Sequence, residues 1–204
     1  MDDVVNPLLD GKFPDSYRGY KINTDFRVGI KLTLLSQDDS FDDEVKLLAS
    51  FSLLYSDKVP EDINVAVSGL KWFLSLGKSD FIFVNEPVDD ETNDVALDFN
   101  QDSLDIWAEF MKLGYDLTVD NLHWFAFMSL LRNLNECNLT KKMGYRTVDL
   151  RGMTGETKKQ YKKLKEQYKI REMLSVDEYN ERVKSLNSSG DSYYANLVKR
   201  SLRQ

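Results

Sequence analysis

The sequence predicts a mainly α-helical protein. It reads as a compact helical domain over residues 1–153 with a small N-terminal β-hairpin, then a basic helical extension and terminal tail over 154–204. Two observations carry this reading. Apolar residues recur three and four positions apart in successive segments, the period of a helix with one buried face. In addition, nine of the thirteen residues from Leu122 to Leu134 are apolar, three of them aromatic. Trp124, Phe125, Phe127, Met128, Leu130, Leu131 and Leu134 cannot share one face, and a helix apolar on nearly every side is stable in water only when protein surrounds it. This segment is therefore expected to be the central helix, with Thr118 as its cap.

The other elements follow in chain order. Residues 14–22 suit a hairpin, with Tyr17, Tyr20 and Ile22 around a turn at Arg18 and Gly19. Asn23 or Thr24 then caps a helix carrying Phe26, Ile30 and Leu34, in which Gly29 costs about 1 kcal/mol relative to alanine, so packing must hold it. A second helix is expected from Ser40, burying Phe41, Val45, Leu48, Phe51 and Leu54, with Asp42, Asp43 and Glu44 near its positive end. Pro60 suits the start of a third, Glu61 to Leu76, with Ile63, Val67, Leu70 and Leu74 inward and Gly77 at its end.

Phe81 to Val84 and Val95 to Phe99 leave a second short hairpin open, around an acidic loop. A helix from Gln101 to Leu113 should bury Leu104, Trp107, Phe110 and Met111, with Gly114 closing it. A short helix around Leu139 should stop at Gly144. From Thr154 to Met173 a narrow stripe of Tyr161, Leu164 and Tyr168 lies among Lys158, Lys159, Lys162, Lys163 and Lys165, the pattern of a surface helix attached by one edge. Ser175 and Glu178 form a capping box for a last amphipathic segment.

At 204 residues, with 42% hydrophobic and 12% aromatic content, the chain can bury a proper core. The longest apolar run, Trp124 to Met128, falls far short of the roughly 20 residues that span a bilayer, so no membrane association is expected. Asp2 and Asp3 stand where a secretory signal would carry basic residues, so export by that route is not expected. The single Cys137 suits a reducing compartment and the packing of a small hydrophobe near a helix end. The single His123, between Leu122 and Trp124, reads as a structural or interface histidine.

Charge is distributed unevenly. Residues 1–120 hold 25 acidic and 10 basic residues, a balance of −15, and residues 121–204 hold 9 and 17, a balance of +8. The halves can neutralise one another, copies can associate head to tail, or the basic half can meet an acidic partner. Self-neutralisation is the mildest reading, and homo-oligomerisation stays open.

The residue patterns of catalysis are missing: no glycine-rich phosphate loop, dinucleotide fingerprint, paired histidines, calcium loop or nucleophile elbow. No enzymatic activity, cofactor or metal is expected. The acidic clusters at Asp38–Asp39, Asp42–Glu44 and Asp89–Glu91 read as helix starts and a loop rather than cation sites. Lysines alternating with tyrosines between Lys158 and Lys169 have the ingredients of a nucleic-acid surface. A sequence pI near 4.9 opposes that footprint, so nucleic acid is disfavoured.

Three stretches together resemble a known family. Ile22 Asn23 Thr24 Asp25 Phe26 Arg27, then Leu122 His123 Trp124 Phe125 with Phe127, then Lys142 Met143 Gly144 Tyr145 Arg146 with Asp149 and Leu150, are similar to the bacteriophage gene product fifteen family. Pro60, Trp72 with Phe73, and Asp98 with Phe99 match as well. The resemblance covers about residues 16–170, in order. It implies a tail assembly chaperone of phages with long flexible tails and of prophages, acting in the host bacterial cytoplasm and absent from the mature virion. The implied partners are the tape measure protein and the tail tube protein. A basic turn supported by the central helix would present Lys141, Lys142, Tyr145, Arg146, Tyr161 and Tyr168 to such a client. The competing roles are burial against the central helix for Tyr145 and a structural ion pair for Arg146. A structural virion component, such as a connector or tail-tip subunit, is the alternative function, and a nucleic-acid-binding protein the further one.

Overall fold

A computed structural model describes residues 5–78, 95–171 and 181. The chain divides into two compact units, Met1–Tyr168 and Lys169–Gln204. Of the second, only residues 169–171 and Glu181 are described, Glu181 lying in helix. The expected strand at Phe81 to Val84 and the capping box at Ser175 fall outside the described residues.

The first unit is built from helices α1 (Pro7–Asp10), α2 (Phe26–Gln37), α3 (Asp43–Leu54), α4 (Ile63–Leu74), α5 (Ser103–Lys112), α6 (Trp124–Arg132), α7 (Asn138–Thr147) and α8 (Gly155–Tyr168). Strands β1 (Ser16–Tyr17) and β2 (Tyr20–Lys21) pair antiparallel ahead of α2. Their turn is left-handed at both corners, φ 47° at Arg18 and 83° at Gly19, the backbone twist that suits a two-residue hairpin loop. Residues 95–98 form no strand, so that half of the second hairpin is absent; Asp98 instead folds the chain into a turn, accepting from the Asn100 and Gln101 N–H groups.

Helix α6 is the centre. Trp124, Phe125, Phe127 and Leu131 are buried on it, and each of the three aromatics meets rings from other elements. Phe127 stacks between Phe26 of α2 at 4.8 Å and Phe110 of α5 at 4.9 Å, centroid to centroid. Phe125 meets Trp72 and Phe73 of α4. Such ring pairs add about 0.5–1.5 kcal/mol each beyond area burial. Among the described residues no acceptor meets the buried indole N–H of Trp124.

The cap of α6 differs from expectation. Thr118 lies in a turn where its N–H and hydroxyl both donate to Asp116. The N-cap is His123, whose Nδ1 accepts from the Phe125 N–H at 3.0 Å. That fixes the ring proton on Nε2, which lies 2.9 Å from the Pro14 carbonyl oxygen and donates to it. Phe13 stacks on the imidazole. Burial pushes the His123 pKa down, partly opposed by the Pro14 carbonyl and the Asp15 charge.

The stretch leading into α2 stitches three elements together. The Asn23 N–H donates to the Leu54 carbonyl at the end of α3, the Trp124 N–H to Thr24, and the Phe26 N–H to Leu122. Asp25, rather than Asn23 or Thr24, caps α2 by accepting from the Arg27 N–H. The Arg27 guanidinium lies over the Phe26 ring and donates to the Leu117 and Asp120 carbonyls and to Asn121, fastening the loop before α6. Gly29 is buried on α2, and any side chain there would overlap the Trp124 indole. The packing demanded by that glycine is thus the contact with the central helix.

On three helices the buried residues match the expected ones only in part. On α3 the buried residues are Ser50, Phe51 and Leu54, whereas Phe41, Val45 and Leu48 are 49%, 47% and 58% exposed. On α4 they are Ala66, Gly69, Trp72 and Phe73; of the expected residues Val67, Leu70 and Leu74 pack partly buried against the core, and Ile63 is exposed. On α5 they are Ile106 and Phe110, and Leu104, Trp107 and Met111 are exposed. In each case the helix carries more apolar surface than its neighbours cover, so period alone does not select the inward side. Helix α7 also runs through Gly144 to Thr147 instead of ending there.

Candidate partner-binding surface

The basic stretch Lys141 to Arg146 lies on α7, whose N-cap is Cys137. That residue, half-buried, has its N–H satisfied by the Thr140 hydroxyl at 2.9 Å. Four of the six expected contact residues sit on α7 and two on α8, and the two helices pack together. Tyr145 stacks on Tyr168 with centroids 5.5 Å apart and meets Tyr161 at 6.3 Å. All three rings are half-buried, and they form the contact that holds α8 on α7. Tyr145 therefore packs on α8.

Arg146 is buried at 7% exposure, opposite Asp102 at 1%. Its two terminal nitrogens donate to the two carboxylate oxygens, Nη1 to Oδ2 at 2.6 Å and Nη2 to Oδ1 at 2.9 Å. Two more donors are used as well: Nη1 reaches the Ala96 carbonyl at 2.9 Å and Nε the Tyr168 carbonyl at 2.6 Å. Only a guanidinium presents a planar fork that can meet a carboxylate in two places and still serve two carbonyls. Asp102 in turn accepts from the Asp98 N–H. Burial pushes its carboxyl up, but the Arg146 hydrogen bonds, the Asp98 N–H and the nearby Arg146 and Lys142 charges outweigh it, and the net shift is downward. Asp102 precedes α5 without capping it, because its carboxylate is turned to the arginine.

The two lysines complete the arrangement. Lys142 pairs with Asp105 on α5, both half-buried, and Lys141 pairs with Glu136 at 3.0 Å on the surface. Arg146 and Lys142 thus tie α7 to the start of α5, and Arg146 also holds the last residue of α8. Sequence reading missed Asp102, Asp105 and Ala96 as partners of this stretch; no local signal marks them, since Asp102 lies 44 residues from Arg146. On α8, Lys158, Lys162 and Lys163 are exposed, Lys159 pairs with Glu156, and Lys165 donates to the Val148 carbonyl.

Beside this hub, α5 leaves Leu104, Trp107 and Met111 exposed along one stripe, the Trp107 indole N–H bonded to Asp116. Among the described residues, no group of histidine, cysteine or carboxylate side chains could hold a metal ion, and no helix is long and apolar enough to cross a membrane.

A helical body centred on stacked aromatics and stapled by a buried arginine–aspartate fork defines a mainly α protein whose conspicuous basic motif is built into its architecture. The family described as Bacteriophage Gp15 protein matches residues 14–170, and the chain belongs to that family. It is accordingly a bacteriophage protein connected with particle structure or assembly. Neither the curated proteins nor the solved structures contain a match.

Proposed function

We propose that this protein is a non-enzymatic tail assembly factor, a chaperone that shields the tape measure protein before the tail tube polymerises around it. The family match over residues 14–170 is the observation that carries the reading. A long amphipathic helical client exposes apolar stripes that self-associate until they are enclosed. Helix-in-groove contacts would cover them and be reversed as tube subunits arrive. The exposed Leu104, Trp107 and Met111 stripe on α5 supports this reading, being apolar surface of the kind such contacts use, beside the cations of α7. The protein would act in the host bacterial cytoplasm and leave before the virion is complete, with the tail tube protein as a second partner.

Co-expression with the tape measure protein of the same phage is the test. The expected result is a recovered complex and a larger soluble fraction of the client. No complex and unchanged client solubility overturns the proposal. Mass spectrometry of purified virions separates the alternative: stoichiometric retention in particles would make the protein a structural component instead.

A further inference from the structure

Helix α3 carries two apolar faces. One, with Phe51 and Leu54, enters the core. The other, Val45 and Leu48 with Phe41 just ahead of the N-cap Asp42, lies on an adjoining side and is about half exposed throughout. A helix apolar on both sides normally has protein on both sides, and here the second side is open.

Charge around the open face is one-signed. Asp38, Asp39, Asp42, Asp43 and Glu44 border its beginning, all exposed, and Lys46 is the one basic residue from Ser36 to Leu48. The Ser40 hydroxyl and N–H both donate to Asp38 and hold its carboxyl below the usual range. Two copies meeting through the same face would set acidic rim against acidic rim, which costs affinity. The basic helix of another copy fits no better, because Tyr161 and Tyr168 of α8 are already engaged with Tyr145.

We infer that the outer face of α3 is a docking site for a basic amphipathic helix of another protein, its apolar stripe on Phe41, Val45 and Leu48 and its cations over the acidic rim. The inference rests on the proposed function only in taking the partner to be helical, and it places the contact on α3 rather than on α7 and α8.

The test uses the full chain and a synthetic helical peptide with leucines along one face and lysines flanking them. Two control peptides accompany it, one with glutamates for the lysines and one with the lysine peptide's composition scrambled to destroy the apolar face. Fluorescence anisotropy should detect binding of the first peptide alone, weakening with salt. Leu48→Asp should weaken it about tenfold or more, as removal of a central contact does, and Phe41→Ser should act in the same direction. Both variants should melt like the parent, since neither side chain is in the core. Absence of binding by the lysine peptide, equal binding of the scrambled peptide, or full binding by Leu48→Asp overturns the inference. Capture of the tape measure protein by Leu48→Asp as efficiently as by the parent would also overturn it, while leaving the proposed function standing. Peptide binding lost in Leu48→Asp, with no capture of the tape measure protein by the parent, supports the α3 site and removes that client.

Discussion

Gly29 lies directly against the indole of Trp124, so close that a methyl group on α2 would overlap the ring system. Helix propensity alone favours alanine at this position by about 1 kcal/mol. Because Trp124 is 2% exposed and packed by Phe73, Phe99 and Phe127, it has nowhere to move. Gly29→Ala should therefore destabilise the fold, the overpacking cost of about 1–3 kcal/mol or more exceeding the propensity gain. Urea denaturation gives the sign, and an increase in stability would show that α2 and α6 are less closely packed than described.

The fork between Arg146 and Asp102 makes a second prediction. Arg146→Ala strands a buried carboxylate and two carbonyls, and should cost about 3–5 kcal/mol, as should Asp102→Ala by leaving the guanidinium unpaired. Arg146→Lys should recover only part of the loss, since a point charge cannot serve both carboxylate oxygens and both carbonyls. In a double-mutant cycle the pair Asp102→Leu with Arg146→Met should cost much less than the two single changes added together. Additive losses would mean that the two side chains act independently.

Acid should weaken the fold in two steps of known sign. The pKa of His123 is lowered in the folded protein, so its unfolded form binds a proton first. Stability should hold above the unfolded value of about 6.5 and fall as the pH drops from there toward the folded value. His123→Asn keeps a side-chain acceptor for the Phe125 N–H and should flatten the pH profile in that window. Asp102 is also lowered, so its contribution is present above the unfolded value near 3.8 and is lost as the pH falls through the folded one. A stability that rises on acidification from neutral pH would contradict the buried neutral imidazole.

The stack of Tyr145 on Tyr168 predicts a local effect. Tyr145→Ala removes a ring pair worth about 0.5–1.5 kcal/mol and should loosen α8. Amide exchange in Gly155–Tyr168 should accelerate while α6 stays protected. Uniform acceleration across the chain would show that α8 opens only with the whole domain.

Much of this architecture can be read from the residues. The run from Trp124 to Leu131 announces a surrounded helix because no one-sided arrangement accommodates it. The hairpin follows from Gly19, and the ends near Gly77 and Gly114 from positive φ values of 73° and 88°. Gly144 misleads because glycine also occurs within helices, and nothing local distinguishes the two uses. Val45, Leu104 and Met111 mislead for another reason: a helix with two apolar sides has the same period whichever side the core covers. The α6 cap was hidden because an imidazole can accept one N–H only when its other nitrogen holds the proton, and that choice is made by Pro14, 109 residues away. The motif ending at Arg146 was visible as a motif, but its meaning lay with Asp102 and could emerge only once the chain had folded.

The Nε donor of Arg146 ends on the carbonyl of Tyr168, the final residue of α8. Cutting the gene at codon 153, the apparent seam in composition, would thus strip away an acceptor and the ring that Tyr145 rests on. A shortened protein meant for crystallisation or binding work has to retain Tyr168, because the domain is finished by the helix that looks like its appendage.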